Sequence, residues 1–122
     1  MANGKWHSVE SIEVGSETVS ATIVVPPESP WFSGHFPGDP VLPAIAQLAI
    51  VLDVAGDAAG LELIPKTVKR TKYRRVIRPG EIIDILLSRT GKNPVTYAFE
   101  LSVDGEPACK GQLTAAPVYI SH

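Results

Sequence analysis

Residues 26–56 read PPESPWFSGHFPGDPVLPAIAQLAIVLDVAG, and the change of character inside this stretch decides the fold. Six of the 11 prolines fall between positions 26 and 43. Each proline removes an amide donor and fixes φ, so neither a helix nor a central strand tolerates that density. Eighteen residues without regular structure are long for a small domain, and loops of that length usually have a function or are disordered. Trp31, Phe32, Phe36, Val41 and Leu42 speak against a solvated linker. At 43–56 the pattern turns helical. Pro43 suits a first helical position and Gly56 a left-handed cap. The span of about 20 Å carries only Gln47 and Asp53 as strongly polar residues. A helix apolar on nearly every side is expected to be buried.

Strands are expected on both sides of this unit. Residues 18–25 (TVSATIVV) are β-branched and partly alternating. After the helix, 68–76 and 81–90 flank a turn at Arg78-Pro79-Gly80. Val95, Tyr97, Phe99, Leu101 and Val103 alternate with Thr96, Ala98, Glu100 and Ser102, the pattern of a strand with one wet face. Asp104-Gly105 signals a hairpin into 108–116. Residues 1–17 show only loose alternation at Val9, Ile12 and Val14. The order predicts an α+β domain in which an antiparallel meander covers one buried helix.

Length and composition set the outer bounds. The 122 residues suit one domain spanning 1–122, with 44% hydrophobic and 20% charged residues. A formal charge of −2 does not point to nucleic acid. The single Cys109 excludes an intramolecular disulfide and a multi-cysteine metal site, and reads as an inert core residue. No secretory signal and no apolar run near the ~20 residues of a membrane span is evident, so a cytoplasmic location is expected. The near-neutral sum hides a separation. Lys66, Lys69, Arg70, Lys72, Arg74, Arg75 and Arg78 fall within 13 positions that hold no acid. This is either the wet face of a strand or a docking stripe for an acidic partner.

The segment Gly34-His35-Phe36-Pro37-Gly38-Asp39-Pro40-Val41-Leu42-Pro43 resembles the signature loop of the hotdog-fold 3-hydroxyacyl-acyl-carrier-protein dehydratases. Lys72-Tyr73-Arg74-Arg75-Val76-Ile77-Arg78-Pro79-Gly80-Glu81 is similar to that family's basic-aromatic strand ending in Pro-Gly-Asp. The resemblance covers about residues 18–116. It implies a hotdog fold, with the sheet wrapped around the central helix and subunits paired edge to edge. It also implies a substrate carried on phosphopantetheine, with no further cofactor and no metal. Removing water from a 3-hydroxyacyl thioester needs a base for the α-proton, an acid for the leaving hydroxyl and donors for charge on the thioester oxygen. The resemblance gives the base to His35, whose imidazole type titrates near pH 6.5. It gives the oxyanion donor to the Ala44 N–H, at the position where the family has glycine. Trp31, Phe36, Gly38, Val41, Leu42 and Pro43 are the implied substrate contacts. Lys69, Lys72, Arg74, Arg75 and Arg78 are the implied carrier-protein contacts.

The chain departs from the family in two places. The helix carboxylate expected fourteen residues after His35 is Ala49, and Asp53 stands one turn later on the same face. Among apolar neighbours a carboxyl favours its neutral form, so Asp53 is the candidate acid. The family's N-terminal helix is not recognisable, His7 reads as a surface residue, and Gln47 as a satisfied core amide. The leading expectation is a dehydratase-like enzyme acting on acyl-carrier-protein or acyl-CoA thioesters. A catalytically impaired subunit that binds acyl thioesters or completes an active paralogue is the alternative, and a hotdog thioesterase is a weaker third. One helix under a meander leaves an open groove and a free sheet edge. A homodimer, a higher homo-oligomer or a heteromer with a paralogue is therefore expected, with no nucleic acid and no membrane.

Overall fold

The computed structural model describes residues 6–32, 40–92 and 95–118. Six strands form one antiparallel sheet: β1 (Ser8–Val14), β2 (Thr18–Val24), β3 (Leu63–Tyr73), β4 (Ile82–Lys92), β5 (Val95–Val103) and β6 (Glu106–Pro117). Their spatial order is β1-β2-β4-β5-β6-β3, and one helix, α1 (Ala44–Ala59), packs on the sheet. This is the α+β arrangement expected from the sequence.

The core forms where the alternating strand faces meet the helix. Ile23, Ile83, Ile85, Leu87, Leu101 and Leu113 are buried from the sheet, against Ala46, Ile50, Val51, Val54 and Ala55 of α1. Each such aliphatic side chain contributes about 1.5–3 kcal/mol on leaving water. The Asp104-Gly105 hairpin is as expected. Both residues have positive φ, 52° and 79°, the tight turn whose twist matches the flanking strands.

Three sequence expectations change. The helix does not stop at Gly56 but runs to Ala59, with Gly60 at φ 70° as the left-handed cap. Gly56 is glycine because the chain doubles back over it: a Cβ there would sit 2.7 Å from the Leu61 carbonyl oxygen. Pro43 takes the cap position (φ −67°, ψ 158°) rather than the first helical turn. The helix is also less enclosed than its composition suggests, since Ile45 at its start is 67% exposed.

The meander is shorter than expected. Arg78-Pro79-Gly80 does not join two paired strands, because β3 pairs with β6 while β4 pairs with β2 and β5. Residues 74–81 instead carry the chain from one side of the sheet to the other. They are held by Arg74 N–H to Ala108 O (2.8 Å), Leu42 N–H to Ile77 O (2.7 Å) and Gly80 N–H to Val25 O (2.9 Å). These bonds satisfy backbone groups that a hairpin would have paired. The loose alternation of the first residues is a true strand, since β1 pairs antiparallel with β2.

Two edges remain open, β1 and β3. On β3 every residue from Ile64 to Arg70 is exposed, so an 11-residue strand presents one unpaired backbone edge. No helix among the described residues is long and apolar enough to cross a membrane.

Candidate active site

The helix N-terminus opens on a groove of about 540 Å³ lined by Val41, Leu42, Pro43, Ala44, Gln47, Tyr73, Arg74, Arg75 and Val76. Pro43 O accepts from the Ala46 and Gln47 amides at 3.0 and 3.2 Å. The Ala44 and Ile45 amides find no acceptor among the described residues. They lie at the positive end of the helix dipole, so a developing anion here meets donors already in place.

Gln47 is not the satisfied core amide expected. It is 4% exposed, and its Nε2 donates to Leu42 O at 3.3 Å, while its Oε1 is buried without a partner among the described residues. The donor bond to a carbonyl fixes which end of the amide is which, so the unspent atom is an acceptor.

Asp53 belongs to a different groove. With Ala49, Leu52, Gly56, Leu61 and Leu63 it lines a space of about 540 Å³ along the second half of the helix. Nine residues separate it from Ala44, about 13 Å along the axis and half a revolution around it. Ala49 and Asp53 therefore share a face, as expected, but Ala44 and Asp53 do not share one pocket.

Nor are Asp53's surroundings simply apolar. His7 Nε2 lies 2.9 Å from Asp53 Oδ2, with the His7 side chain 6% exposed and that of Asp53 23%. The surface position expected for His7 is thus overturned. Its other ring nitrogen, Nδ1, is buried without a partner among the described residues. Three contacts around Ser29 and the tryptophans fix the arm that carries His7. Ser29 Oγ donates to Trp6 O (2.6 Å) and accepts from the Trp31 amide (3.2 Å), and the Trp6 and Trp31 rings meet edge to face at 4.9 Å. Trp31, an expected substrate contact, is thus engaged with the N-terminal arm, and its Nε1 is buried without a partner among the described residues.

The basic run does not form one stripe. Lys69 and Lys72 stand opposite Gln112 and Lys110 on the sheet. Arg74 is exposed beside the groove. Arg75 is paired within the chain, its guanidinium 2.8 Å from Glu81 Oε2 and 3.8 Å from Glu106 Oε1. Glu81 also accepts from the Arg78 amide at 2.6 Å. The stretch lacks acids in sequence, but folding supplies them.

Cys109 is fully buried, and burial pushes its thiol up to about 11. Tyr73, its cross-strand partner, is also raised, first by burial and then by the neighbouring Cys109. No three His, Cys, Asp or Glu side chains converge among the described residues. His35, Phe36 and Gly38 lie outside the described residues.

A family model described as ApeI-like, ApeI dehydratase, matches residues 11–112. The chain belongs to the ApeI-like dehydratase family. It is similar to the 3-hydroxyacyl-acyl-carrier-protein dehydratase FabZ of Rickettsia rickettsii (strain Sheila Smith), with 32% identity over 96 residues. That match covers 70% of this chain and 66% of the relative, just under two thirds of its length. Among solved structures, the dehydratase heterocomplex ApeI:P from Xenorhabdus doucetiae aligns with TM-score 0.77 and 22% identity, over 89% of this chain and 96% of that one. A hypothetical thioesterase with coenzyme A from Streptococcus pneumoniae TIGR4 aligns with TM-score 0.67 and 12% identity, over 92% and 85%. The likeness establishes the hotdog fold for this ApeI-like chain. Within it the helix position fourteen residues after His35 is Ala49, and the helix carboxylates lining the same groove are Asp53 and Asp57.

Proposed function

We propose that this chain eliminates water from a 3-hydroxyacyl thioester presented on the phosphopantetheine arm of an acyl carrier protein, or on coenzyme A. The observation that carries the reading is the Ala44 amide, without an acceptor among the described residues, in a groove walled by Leu42, Pro43 and Tyr73. In this scheme His35 takes the α-proton and electron density moves onto the thioester oxygen, where the Ala44 N–H stabilises it. The C3–O bond then breaks, and an acid protonates the departing hydroxyl.

Asp53 is the candidate acid, and its place argues for a second subunit. Ala44 and Asp53 open on separate grooves, so a site using both would take one from each of two chains. The open β3 edge offers a surface for that pairing. The carrier-docking candidates are Lys69, Lys72, Arg74, Arg75 and Arg78, of which Arg75 also pairs with Glu81. A cytoplasmic setting suits such a partner.

A second reading has its own support. Ala49 occupies the usual carboxylate position, and Asp53 is already engaged by His7. Such a subunit would hold the acyl thioester while a paralogue supplies the missing group. The structural neighbour described as a heterocomplex makes this pairing concrete.

One experiment separates these readings. The purified chain, His35→Ala and Asp53→Ala are incubated with 3-hydroxyacyl and enoyl thioesters and followed by mass spectrometry. Interconversion abolished by His35→Ala supports the dehydratase, and unchanged turnover in that variant removes it. Binding without turnover supports the acyl-binding subunit. Release of free thiol would instead indicate a thioesterase.

A further inference from the structure

The groove at the helix start holds a donor and an acceptor with no partners among the described residues. Ala44 and Gln47 are three residues apart, so they lie on one face, about 4.5 Å along the axis. The Ala44 N–H is a donor at the positive helix end. Gln47 Oε1 is a buried acceptor with no hydrogen bond among the described residues, on a side chain 4% exposed whose residue lines the same groove. Leaving a buried acceptor unpaired is costly, and a ligand that brings a donor relieves that cost.

We infer that Gln47 is a specificity-determining residue whose Oε1 accepts a hydrogen bond from the 3-hydroxyl of the acyl substrate while the Ala44 N–H donates one to the thioester oxygen. The assignment rests on the acyl-thioester reading above and adds the chemistry that selects the substrate. A 3-hydroxyacyl thioester carries its acceptor carbonyl and donor hydroxyl a short distance apart on one chain, matching the order of groups on the helix. The amides of the pantetheine arm lie on the far side of sulfur, several bonds from that carbonyl. A saturated chain offers no donor to Oε1. A site built to bond a substrate hydroxyl rejects the analogue lacking it, because its own polar group is then stranded.

The test compares binding of 3-hydroxyoctanoyl- and octanoyl-pantetheine, and of the corresponding four-carbon pair, to the wild-type chain and to Gln47→Met. Wild-type protein is expected to prefer the hydroxylated member of at least one pair by about tenfold or more. Gln47→Met keeps length and volume but has no strong acceptor. It is expected to bind the saturated thioester as well as before and to lose the preference. A merely structural effect, through the bond to Leu42, would weaken both ligands together. Wild-type protein with no preference overturns the assignment without any variant having to fold. A folded Gln47→Met with its preference intact overturns it as well. If wild-type protein binds no acyl thioester at all, the parent reading fails and the assignment with it.

Discussion

His7 Nε2 sits 2.9 Å from Asp53 Oδ2, tying the arm ahead of β1 to the central helix across 46 positions. The imidazole is almost fully buried and the carboxylate only partly so. Removing Asp53 takes the partner from a nearly buried imidazole nitrogen, so the pair should behave as a coupled unit. Denaturant unfolding of His7→Ala, Asp53→Ala and the double variant is expected to give a coupling of about 1 kcal/mol or more. Additive effects would mean that the contact contributes nothing.

The arm itself depends on Ser29. Its hydroxyl donates to Trp6 O and accepts from the Trp31 amide. Ser29→Ala should cost about 1–3 kcal/mol, because the Trp6 carbonyl and the Trp31 amide each lose a partner. It should also reduce the His7–Asp53 coupling measured in the same background. Full coupling in the Ser29→Ala background would show that the arm is held by other contacts.

The Ala44 amide can be removed without removing a helix bond. Proline is well accepted at the first helical position, and Pro43, at ψ 158°, already has the extended conformation that a following proline requires. Ala44→Pro is expected to keep the unfolding midpoint and to lower kcat by about 10²–10³, the loss typical of one oxyanion donor. Unchanged kcat in a folded variant would mean that the thioester oxygen is held elsewhere.

Glycine positions 56 and 60 are expected to respond differently. At Gly60 a methyl group meets open space, and only the positive φ is costly, by about 1–2 kcal/mol. At Gly56 a methyl group would lie 2.7 Å from backbone, so the helix end and the return of the chain at Leu61 must separate. Thermal unfolding should therefore show Gly56→Ala as the more damaging change, by about 1–3 kcal/mol of overpacking. Equal midpoints would contradict that close approach.

Cys109 links burial to alkaline stability. Its thiol is pushed from 9.0 up to about 11 in the folded chain. The unfolded chain therefore loses this proton first. The contribution is complete below pH 9 and is lost as pH rises towards 11, at most about 2–3 kcal/mol. The raised Tyr73 acts in the same direction. Cys109→Ala should flatten the decline of stability measured between pH 9 and 11, and native protein should resist thiol reagents until it unfolds. A fall of the same size in the variant would assign the alkaline loss to other groups.

Much of the architecture is local in origin and therefore readable along the chain. A stretch from Ala44 to Gly56 with only Gln47 and Asp53 strongly polar marks a buried helix, strict alternation from Val95 to Val103 marks a half-wet strand, and Asp104-Gly105 marks its turn. The family motif around His35 is local in the same way and points to the same fold. Periodicity and turn chemistry act between near neighbours, so one sequence carries them unaided.

Contacts between distant positions needed the folded chain. Whether Gly56 or Gly60 ends the helix depends on where Leu61 returns. The seven-cation run lost Arg75 to Glu81 and Glu106 because the crossing at 74–81 and the β5–β6 hairpin meet there. His7 looked like a surface residue until Ser29 and the two tryptophans laid its arm against α1. Gln47 looked like a closed amide, and only its surroundings show that one end is paired and the other buried beside the groove without a partner among the described residues. The sequence by itself determined the helix, the strands and the family. Tertiary structure alone decided which polar groups were spent on the fold, because hydrogen bonding and desolvation depend on neighbours that the chain brings together only when it folds.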